Sequence, residues 1–285
     1  MHGRIWADRL YWAATRFVPE HLERRIWRDW VTPRVVAMGY RRAKGTPVQE
    51  VETVPVFGYD EEDDIRAALC RIRAYTMTSI ERMATLWQQV RYLDRYGIQG
   101  DLVECGVWKG GSVGTMALAH LRSAERPVRH LRLFDSFEGL PEPRSEVDGT
   151  TAVQYAKGRA SGSLDPIREC IGTLEENRRL LEHEIKYPAE LIHYHVGWFQ
   201  ETLPRDIGSI GDIALLRLDG DWYESTQMCL DYLYPKVVKA GIVIVDDYGF
   251  WQGCRRAVDE FIARCSEPIL LHHIDYSGRY WVKSV

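Results

Sequence analysis

The sequence predicts one large α/β domain in which a mostly parallel, seven-stranded sheet carries helices on both faces. From residue 101 onwards, short β-rich runs alternate with helical stretches. The first run leads into a glycine-rich turn, and several later runs end in carboxylates. Alternation of this kind gives parallel strands with crossover helices, whose binding sites lie at the carboxyl ends of the strands.

The individual elements follow from periodicity and from turn and cap residues. Residues 61–75 form an amphipathic helical segment, and Ser79 can cap a second helix that runs to Tyr96 and stops at Gly97. Helices should then fill 111–122, 164–183, 224–238 and 253–265. The expected strands are 101–105, 130–135, 191–196, 213–218, 241–246, 269–274 and 279–283.

Composition narrows the class of protein. The 285 residues, 45% of them hydrophobic, suffice for one large domain with an appendage. A net charge of −4 shows none of the excess of basic residues that is typical of nucleic-acid-binding proteins. No apolar run has the length of a membrane span, and residues 1–30 contain no apolar stretch typical of a signal peptide. The six cysteines are scattered without a C-x-x-C pair. They are typical of reduced packing cysteines, so we expect a cytoplasmic protein.

Residues 1–60 are interpreted as a separate N-terminal arm and linker, ahead of the domain at 61–285. Residues 1–45 hold ten Lys or Arg against four Asp or Glu, and four of the ten tryptophans. Their pattern predicts amphipathic helices broken near Pro19 and Pro33. We expect the arm to pack on its own domain or on a second subunit of a homo-oligomer. A membrane-surface or acidic partner is the alternative.

The segment Asp101–Ser112 indicates a ligand-binding turn. A strand ends near Glu104, and Gly106, Gly110 and Gly111 lead into the next helix, which lets the backbone approach a ligand closely. The glycine spacing is not G-x-G-x-x-G and no phosphate-binding Lys-Ser/Thr follows, which argues against dinucleotides and nucleoside triphosphates. The turn alone could also be purely structural.

Asp135 ends the next strand, 31 residues after Glu104. A carboxylate at this place can accept hydrogen bonds from both ribose hydroxyls of a nucleoside, although a helix N-cap is an equally simple role. Together with the glycine turn, nucleoside binding is the better interpretation. A nucleoside site without a phosphate cradle indicates S-adenosylmethionine.

A carboxylate cluster gives the most specific signal. Asp219 follows one apolar run, with Asp221 two residues later. Asp246 lies 27 residues after Asp219, and together with Asp247 it ends the next apolar run. Neighbouring parallel strands would bring these side chains to one sheet edge, where they would repel one another without a cation. Oxygen ligands suit Mg²⁺. The alternative is a set of turn or cap aspartates.

Five motifs in fixed order resemble the macrocin O-methyltransferase (TylF/MycF) family over residues 70–265. They are V-E-C-G-V-W-K-G-G-S, L-F-D-S-F-E-G-L-P, G-W-F-Q-E-T-L-P, L-D-G-D-W-Y-E-S-T and V-D-D-Y-G. The resemblance implies a Rossmann-like class I methyltransferase that uses S-adenosylmethionine and Mg²⁺ to methylate a sugar hydroxyl in natural product biosynthesis. The sequence departs from the family in its basic arm and over 142–190, where we expect acceptor choice to lie.

Carried over residue by residue, the resemblance implies two sets of ligands. The metal ligands would be Asp219, Asp246 and Asp247. The cofactor site would comprise Glu104, Cys105, Gly106, Val107, Trp108, Ser112, Asp135, Ser136, Phe137 and Trp198, with Met77 and Thr78 closing over it.

A sugar hydroxyl is a poor nucleophile, so the chemistry needs a metal ion that stabilises its alkoxide and a carboxylate that takes its proton. We expect Asp219 to be this base, with Asp221 the open alternative. Trp222 and Tyr223 are candidates for the sugar pocket, and His193 and His195 are expected to be core or pocket residues rather than zinc ligands. The partner would be a small-molecule or glycan acceptor. Rival functions are a catechol-type O-methyltransferase and a catalytically silent binding protein of the same fold.

Overall fold

The computed structural model describes residues 62–124 and 126–285, and the predictions for residues 1–60 lie outside this part of the chain. Its helices are α1 (Glu62–Ile72), α2 (Ile80–Arg95), α3 (Gly111–Ser123), α4 (Ser145–Tyr155), α5 (Leu174–Arg178), α6 (Phe199–Asp206), α7 (Tyr223–Leu233) and α8 (Gln252–Arg264). The strands are β1 (Asp101–Cys105), β2 (Leu131–Asp135), β3 (Ile192–Val196), β4 (Ile213–Leu218), β5 (Val237–Val245), β6 (His272–His273) and β7 (Arg279–Val282).

The seven strands form one sheet in the order β3-β2-β1-β4-β5-β7-β6, which confirms the predicted fold class. All neighbouring pairs from β3 to β5 are parallel, whereas β7 is antiparallel to both β5 and β6. Every residue of β1 and β4 is buried, as expected for central strands whose two faces are covered by helices. The carboxyl ends of β1, β4 and β5 therefore meet at one edge.

The start of α2 confirms the predicted cap, because the Ser79 hydroxyl accepts the backbone N–H of Arg82. The helix predicted over 224–238 ends earlier, at Leu233. A short 3-10 turn over Tyr234–Lys236 follows, and β5 begins at Val237. Within the strand predicted at 269–274, only His272 and His273 form a strand. No helix in the described ranges is long and apolar enough to span a bilayer.

The helix predicted over 164–183 is wrong in its first half. Pro166 lies there, and Arg168 and Cys170 adopt left-handed φ values of 61° and 56°, which ordinary side chains rarely hold in a helix. Residues 164–173 instead pair with the loop after β2, since the Ile167 N–H donates to the Leu140 carbonyl at 2.8 Å. Helix α5 begins only after Thr173, which forms a capping box with Glu176.

Helix α4 was not predicted from the sequence. Gly149 breaks it with a φ of 78°, so its residues follow no single helical period. The helix nevertheless lies beside the site, because Asp148 accepts the backbone N–H of Tyr223 at the start of α7 (2.7 Å).

Candidate active site

A cavity of about 290 Å³ opens at the carboxyl ends of the central strands. One side is formed by the turn after β1 and the end of β2, and the opposite side by the turns after β4 and β5. A third group of lining residues comes from the C-terminal hairpin and from the segment before α2. This is the position at which open α/β sheets bind their ligands.

The glycine-rich turn after β1 is held in place by Asp135. One carboxylate oxygen accepts the N–H groups of Val107 (2.6 Å) and Trp108 (3.1 Å), and the other accepts that of Phe137 (2.7 Å). Burial raises the pKa of Asp135 although these three donors lower it. A carboxylate has about four acceptor positions, so one remains for a ligand.

Two further contacts fix the same turn. Gly106 cannot carry a side chain, because a Cβ would lie 1.9 Å from the Asp219 carbonyl oxygen of the neighbouring turn. Trp108 has a left-handed φ of 49°, and its carbonyl accepts the side-chain amide of the fully buried Asn177 at 2.7 Å. The turn after β1 is thus tied to the turn after β4 and to α5.

Asp219, Asp246 and Asp247 lie together at the edge formed by β4 and β5, as the sequence predicts. Each offers a carboxylate oxygen, and the three oxygens lie within 4.8 Å of one another. The carboxyl groups of Asp219 and Asp247 are within hydrogen-bonding reach, and burial and the neighbouring carboxylates of Asp221 and Asp219 raise the pKa of Asp247. Such an arrangement favours a bound cation.

A buried arginine connects this cluster to β1. Arg217, on β4, forms ion pairs with Glu104, with Asp219 (2.8 Å) and with Asp246 (2.5 Å). Burial alone would lower its pKa, but the three carboxylates raise it above the usual value, so the guanidinium stays charged. Because one arginine is shared among three acids, burial still raises the pKa of Glu104 to about 8.

A second arginine reaches the cluster from α2. Arg82 pairs with Asp246 and, through Nε, with Asp275 of the C-terminal hairpin (2.7 Å). Four carboxylates therefore share the two guanidinium groups, and Asp221 and Asp247 lie beside them. We call this group of residues the ionic floor: Glu104, Asp219, Asp221, Asp246, Asp247, Arg82 and Arg217.

Asp221 differs from the other acids of the floor in its backbone and its partner. Its φ is 59°, which is uncommon for a residue other than glycine. Its carboxylate accepts the indole N–H of Trp251 at 2.5 Å, and removal from water together with the charge of Asp219 raises its pKa well above the usual value. It lines the cavity without contacting either arginine in the described part of the chain.

Aromatic side chains from α4 and from the turn after β5 also line the cavity. Tyr155 from α4 stands edge-on to Trp251, with ring centroids 5.5 Å apart, and its hydroxyl lies 3.4 Å from the Cys170 sulfur. Trp222 packs behind Trp251 at 4.9 Å and is buried; its indole N–H donates to the Pro141 carbonyl at 3.0 Å.

The residues predicted for the cofactor divide into two groups. Met77, Thr78, Gly106, Trp108, Asp135, Ser136 and Trp198 line the cavity, whereas Glu104, Cys105, Val107, Ser112 and Phe137 do not. Glu104 instead pairs with Arg217 beneath the cavity. All three predicted metal ligands line the cavity.

Two other candidates lie away from the cavity. Trp222 and Tyr223 do not line it, because Trp222 is buried behind Trp251 and the Tyr223 hydroxyl bonds to Glu260 (2.6 Å). On the edge strand β3, His195 stacks on Phe134 at 4.1 Å, which agrees with the expected core role.

Sequence reasoning missed residues that shape the site from a distance. Arg217 carried a signal, because a charged residue between buried leucines of a central strand needs an acidic partner. Arg82, Asn177 and Tyr155 carried no such signal, since their roles depend on where α2, α5 and α4 pack.

Comparison with known proteins identifies the family. The model of the macrocin-O-methyltransferase (TylF) family matches residues 18–283. The chain belongs to this family. It is an O-methyltransferase of the S-adenosylmethionine-dependent class. The match begins at residue 18, so most of the basic arm at residues 1–45, which was expected to depart from the macrocin-O-methyltransferase family, lies within it.

Relatives of the macrocin-O-methyltransferase family share much of the chain. The demethyldecarbamoylnovobiocin O-methyltransferase of Streptomyces niveus is 37% identical over 74% of this chain and 76% of its own length. A Streptomyces olivaceus enzyme, 8-demethyl-8-(2,3-dimethoxy-alpha-L-rhamnosyl)-tetracenomycin-C 4'-O-methyltransferase, is 35% identical over 80% of this chain and 84% of its own. The solved structure of the O-methyltransferase NovP superposes with a TM-score of 0.63 at 35% identity, covering 74% of this chain and 83% of NovP.

Proposed function

We propose that this enzyme transfers the methyl group of S-adenosylmethionine to a sugar hydroxyl of a glycosylated small molecule, with Mg²⁺ bound beside the acceptor. The observation that carries the proposal is the trio of carboxylates, with oxygens within 4.8 Å, that faces the cavity. The relative named as a methyltransferase of a rhamnosyl-tetracenomycin supports the acceptor class, and the one named for demethyldecarbamoylnovobiocin agrees with a small-molecule acceptor.

The donor atoms fit Mg²⁺. Asp219, Asp246 and Asp247 supply only oxygen, which hard cations prefer, and no thiolate or imidazole stands among them. Each Asp oxygen paired with an arginine keeps a free lone pair. A bound Mg²⁺ would supply charge that stabilises an acceptor alkoxide and lowers the pKa of the hydroxyl.

The cofactor would lie along the glycine-rich turn. Asp135 has one acceptor position left for a ribose hydroxyl, and Trp108 and Trp198 present apolar surface at the cavity. Met77 and Thr78 border the cavity from the segment that leads into α2. These residues would orient the sulfonium methyl toward the acceptor.

For the proton acceptor we favour Asp221 over Asp219. Asp219 is paired with Arg217 and would also bind the cation, so its carboxylate already has two partners. Asp221 lines the cavity, is held by the Trp251 indole and is paired with no arginine of the described ranges. Proton transfer to a positioned carboxylate accounts for about 10²–10⁴ in rate.

The two candidates for the base are separated by a pair of variants. Asp221→Asn should lower kcat by about 10²–10⁴ while Mn²⁺ binding, followed by electron paramagnetic resonance, is retained. Asp219→Asn should lower kcat and should also lose Mn²⁺ binding. If Asp221→Asn keeps its full rate with a sugar acceptor, Asp219 is the base.

The function itself is tested by incubating the full chain with S-adenosylmethionine, Mg²⁺ and a panel of glycosides and catechols. We expect S-adenosylhomocysteine and a methylated glycoside, identified by mass. Methylation of catechols alone would show the catechol-type function, and no turnover with any acceptor would support a silent binding protein.

Assembly and location belong to the same proposal. We infer a homo-oligomer, because the tryptophan-rich basic arm needs a surface to cover it. We infer a cytoplasmic location because the six cysteines are scattered without a C-x-x-C pair. Removal of residues 1–45 should lower the oligomeric mass measured by sedimentation. A full chain that is already monomeric would contradict this.

A further inference from the structure

Asp275 is a nearly buried carboxylate beside the cavity, and the chemistry proposed above does not use it. It lies in the hairpin between β6 and β7, directly before Tyr276 and Ser277. Those two residues line the cavity, whereas Asp275 does not. Its side chain is only 8% exposed. A charge removed from water in this way needs partners that compensate it, and the partners show what the residue does.

Four hydrogen bonds saturate the Asp275 carboxylate. Its Oδ1 accepts the backbone N–H groups of Ser277 (2.9 Å) and Gly278 (2.7 Å). Its Oδ2 accepts the Ser79 hydroxyl and the Arg82 Nε–H, both at 2.7 Å. Burial raises the pKa of Asp275, but these bonds lower it to about 2, so the group is ionised at neutral pH. All four acceptor positions are filled, so we expect Asp275 to hold its neighbours rather than to bind a ligand.

Two of these neighbours stand at the start of α2. The Ser79 hydroxyl that donates to Asp275 also accepts the backbone N–H of Arg82 at 3.1 Å. The Arg82 side chain is only 10% exposed, and its guanidinium lies over the Tyr276 ring, 5.4 Å from the ring centroid. The hairpin therefore holds Arg82 by an ion pair, through the helix cap and by an aromatic ring.

The same guanidinium reaches a proposed metal ligand. Nη1 of Arg82 pairs with Oδ2 of Asp246, and Nη2 of Arg217 pairs with Oδ1 of Asp246 at 2.5 Å. A guanidinium is a planar and rigid fork, so two carboxylates bonded to one fork are fixed relative to each other. Arg82 and Arg217 together therefore set the orientation in which Asp246 presents its oxygens to the cavity.

Building on the metal site of the proposed function, we propose that Asp275 is a positioning residue for that site, acting through Arg82 on Asp246. Asp275 holds the guanidinium in one orientation and shares its positive charge. Without Asp275, Arg82 is free to turn, and its whole charge acts on Asp246. Both changes disfavour a cation, because the Asp246 oxygen is then less well oriented and its negative charge is more fully neutralised.

The test is Mn²⁺ binding to the full chain, measured by electron paramagnetic resonance, which needs neither acceptor nor turnover. Asp275→Asn keeps the shape of the side chain but removes its charge and one acceptor oxygen. We expect it to weaken Mn²⁺ binding by about 10–100-fold, the usual loss when a residue that orients a metal ligand is changed. Unchanged Mn²⁺ affinity overturns the inference.

Asp206→Asn is the matched control. The Asp206 side chain is also mostly buried, at 18% exposed, and is paired with an arginine, but it does not line the cavity. Its variant should bind Mn²⁺ as the parent does. Binding of S-adenosylhomocysteine, measured by calorimetry, should stay nearly unchanged in both variants. Equal losses of S-adenosylhomocysteine and Mn²⁺ binding in Asp275→Asn would show that Asp275 supports the whole cavity, which overturns the specific role.

A double variant shows whether Asp275 acts through Arg82. Arg82→Lys keeps the positive charge but replaces the planar fork by a single ammonium group, so it should also weaken Mn²⁺ binding. Adding Asp275→Asn to Arg82→Lys should cause little further loss, and losses that multiply overturn the inference. If Asp275→Asn does not fold, Arg82→Lys decides alone, and its unchanged Mn²⁺ affinity overturns the inference.

The parent chain separates this inference from the proposed function. If the parent binds Mn²⁺ and the Asp275 and Arg82 variants bind it equally well, the metal site stands and only the role of Asp275 is wrong. If the parent binds no Mn²⁺, the metal of the proposed function is wrong, and this inference is overturned with it.

Discussion

The ionic floor and the exposed aromatic residues Phe250 and Tyr276, which we call the rim, border the same cavity and are held in place differently. Floor side chains such as Glu104, Arg217 and Asp246 are almost fully buried and hold one another by ion pairs. The rim side chains Phe250 and Tyr276 are more than half exposed and are held mainly through their backbones. A floor residue therefore cannot change without disturbing its partners, whereas a rim residue can.

The largest expected effect lies in the floor. Asp247→Asn, or removal of divalent cations with EDTA, should lower the rate of methyl transfer by about 10²–10⁴, because the charge that stabilises the alkoxide is lost. Mg²⁺ should restore the EDTA-treated enzyme but not the variant. Binding of S-adenosylmethionine, measured by calorimetry, should stay nearly unchanged.

The control for that loss is Asp231→Asn, which removes a carboxylate 41% exposed in a surface ion pair with Arg264. It should leave the rate unchanged. Full activity in excess chelator would show that the aspartates act without a metal, and the floor would then be only a hydrogen-bonding surface.

The second prediction concerns the stability of the floor. Arg217→Met should lower the free energy of unfolding by about 3–5 kcal/mol, because it leaves Glu104, Asp219 and Asp246 without their shared buried partner. Chemical denaturation measures the change. Arg256→Met, which breaks an exposed ion pair with Glu260, should leave the free energy of unfolding nearly unchanged. Equal losses in the two variants would mean that the floor is held by packing rather than by charge.

The same contrast explains how much the sequence could predict. Asp219, Asp246 and Asp247 were found because each follows an apolar strand run, and β4 and β5 are neighbours. The rim was not found, because Phe250 and Tyr276 come together only through contact between two loops. No periodicity encodes that contact.

The region over 142–190 shows where sequence patterns fail for a physical reason. Leucines and charged residues over 164–183 suggested one helix, but Pro166 and the left-handed backbone of Arg168 turn the chain back onto the loop after β2. That return places Cys170 at the cavity. In this segment, which was expected to govern acceptor choice, tertiary packing overrides the local helix propensity.

The third prediction tests the cofactor side, which belongs to neither the floor nor the rim. Asp135→Ala should weaken S-adenosylmethionine binding by about 1.5–3 kcal/mol, since Asp135 orders three backbone N–H groups and offers its last acceptor position to the ribose. Calorimetric titration measures it, and metal binding should be retained. Unchanged affinity would remove Asp135 from the cofactor site.

The smallest expected effect comes from an ion pair outside the cavity. Its contribution to the free energy of unfolding can be compared with that of the buried ion pairs of the floor. Asp206 pairs with Arg205 at 2.7 Å and with His195 at 2.8 Å, and chiefly the Arg205 bond lowers the pKa of Asp206 to about 2 from its ordinary 3.8. A carboxyl group whose pKa is lower in the folded state than in the unfolded state stabilises the protein at pH values above the pKa of the unfolded state. That contribution is therefore complete above about pH 5 and is lost as the pH falls through 3.8 toward 2. Because Arg205 is 56% exposed, we expect this contribution to be about 1 kcal/mol or less.

Urea unfolding of the parent and of Asp206→Asn at pH 6 and at pH 3 measures the effect. The difference in free energy of unfolding between the two proteins should shrink at the lower pH. A difference that does not depend on pH would assign the role of Asp206 to neutral hydrogen bonding. The stabilisation by this ion pair could then not be compared with that by the buried ion pairs of the floor.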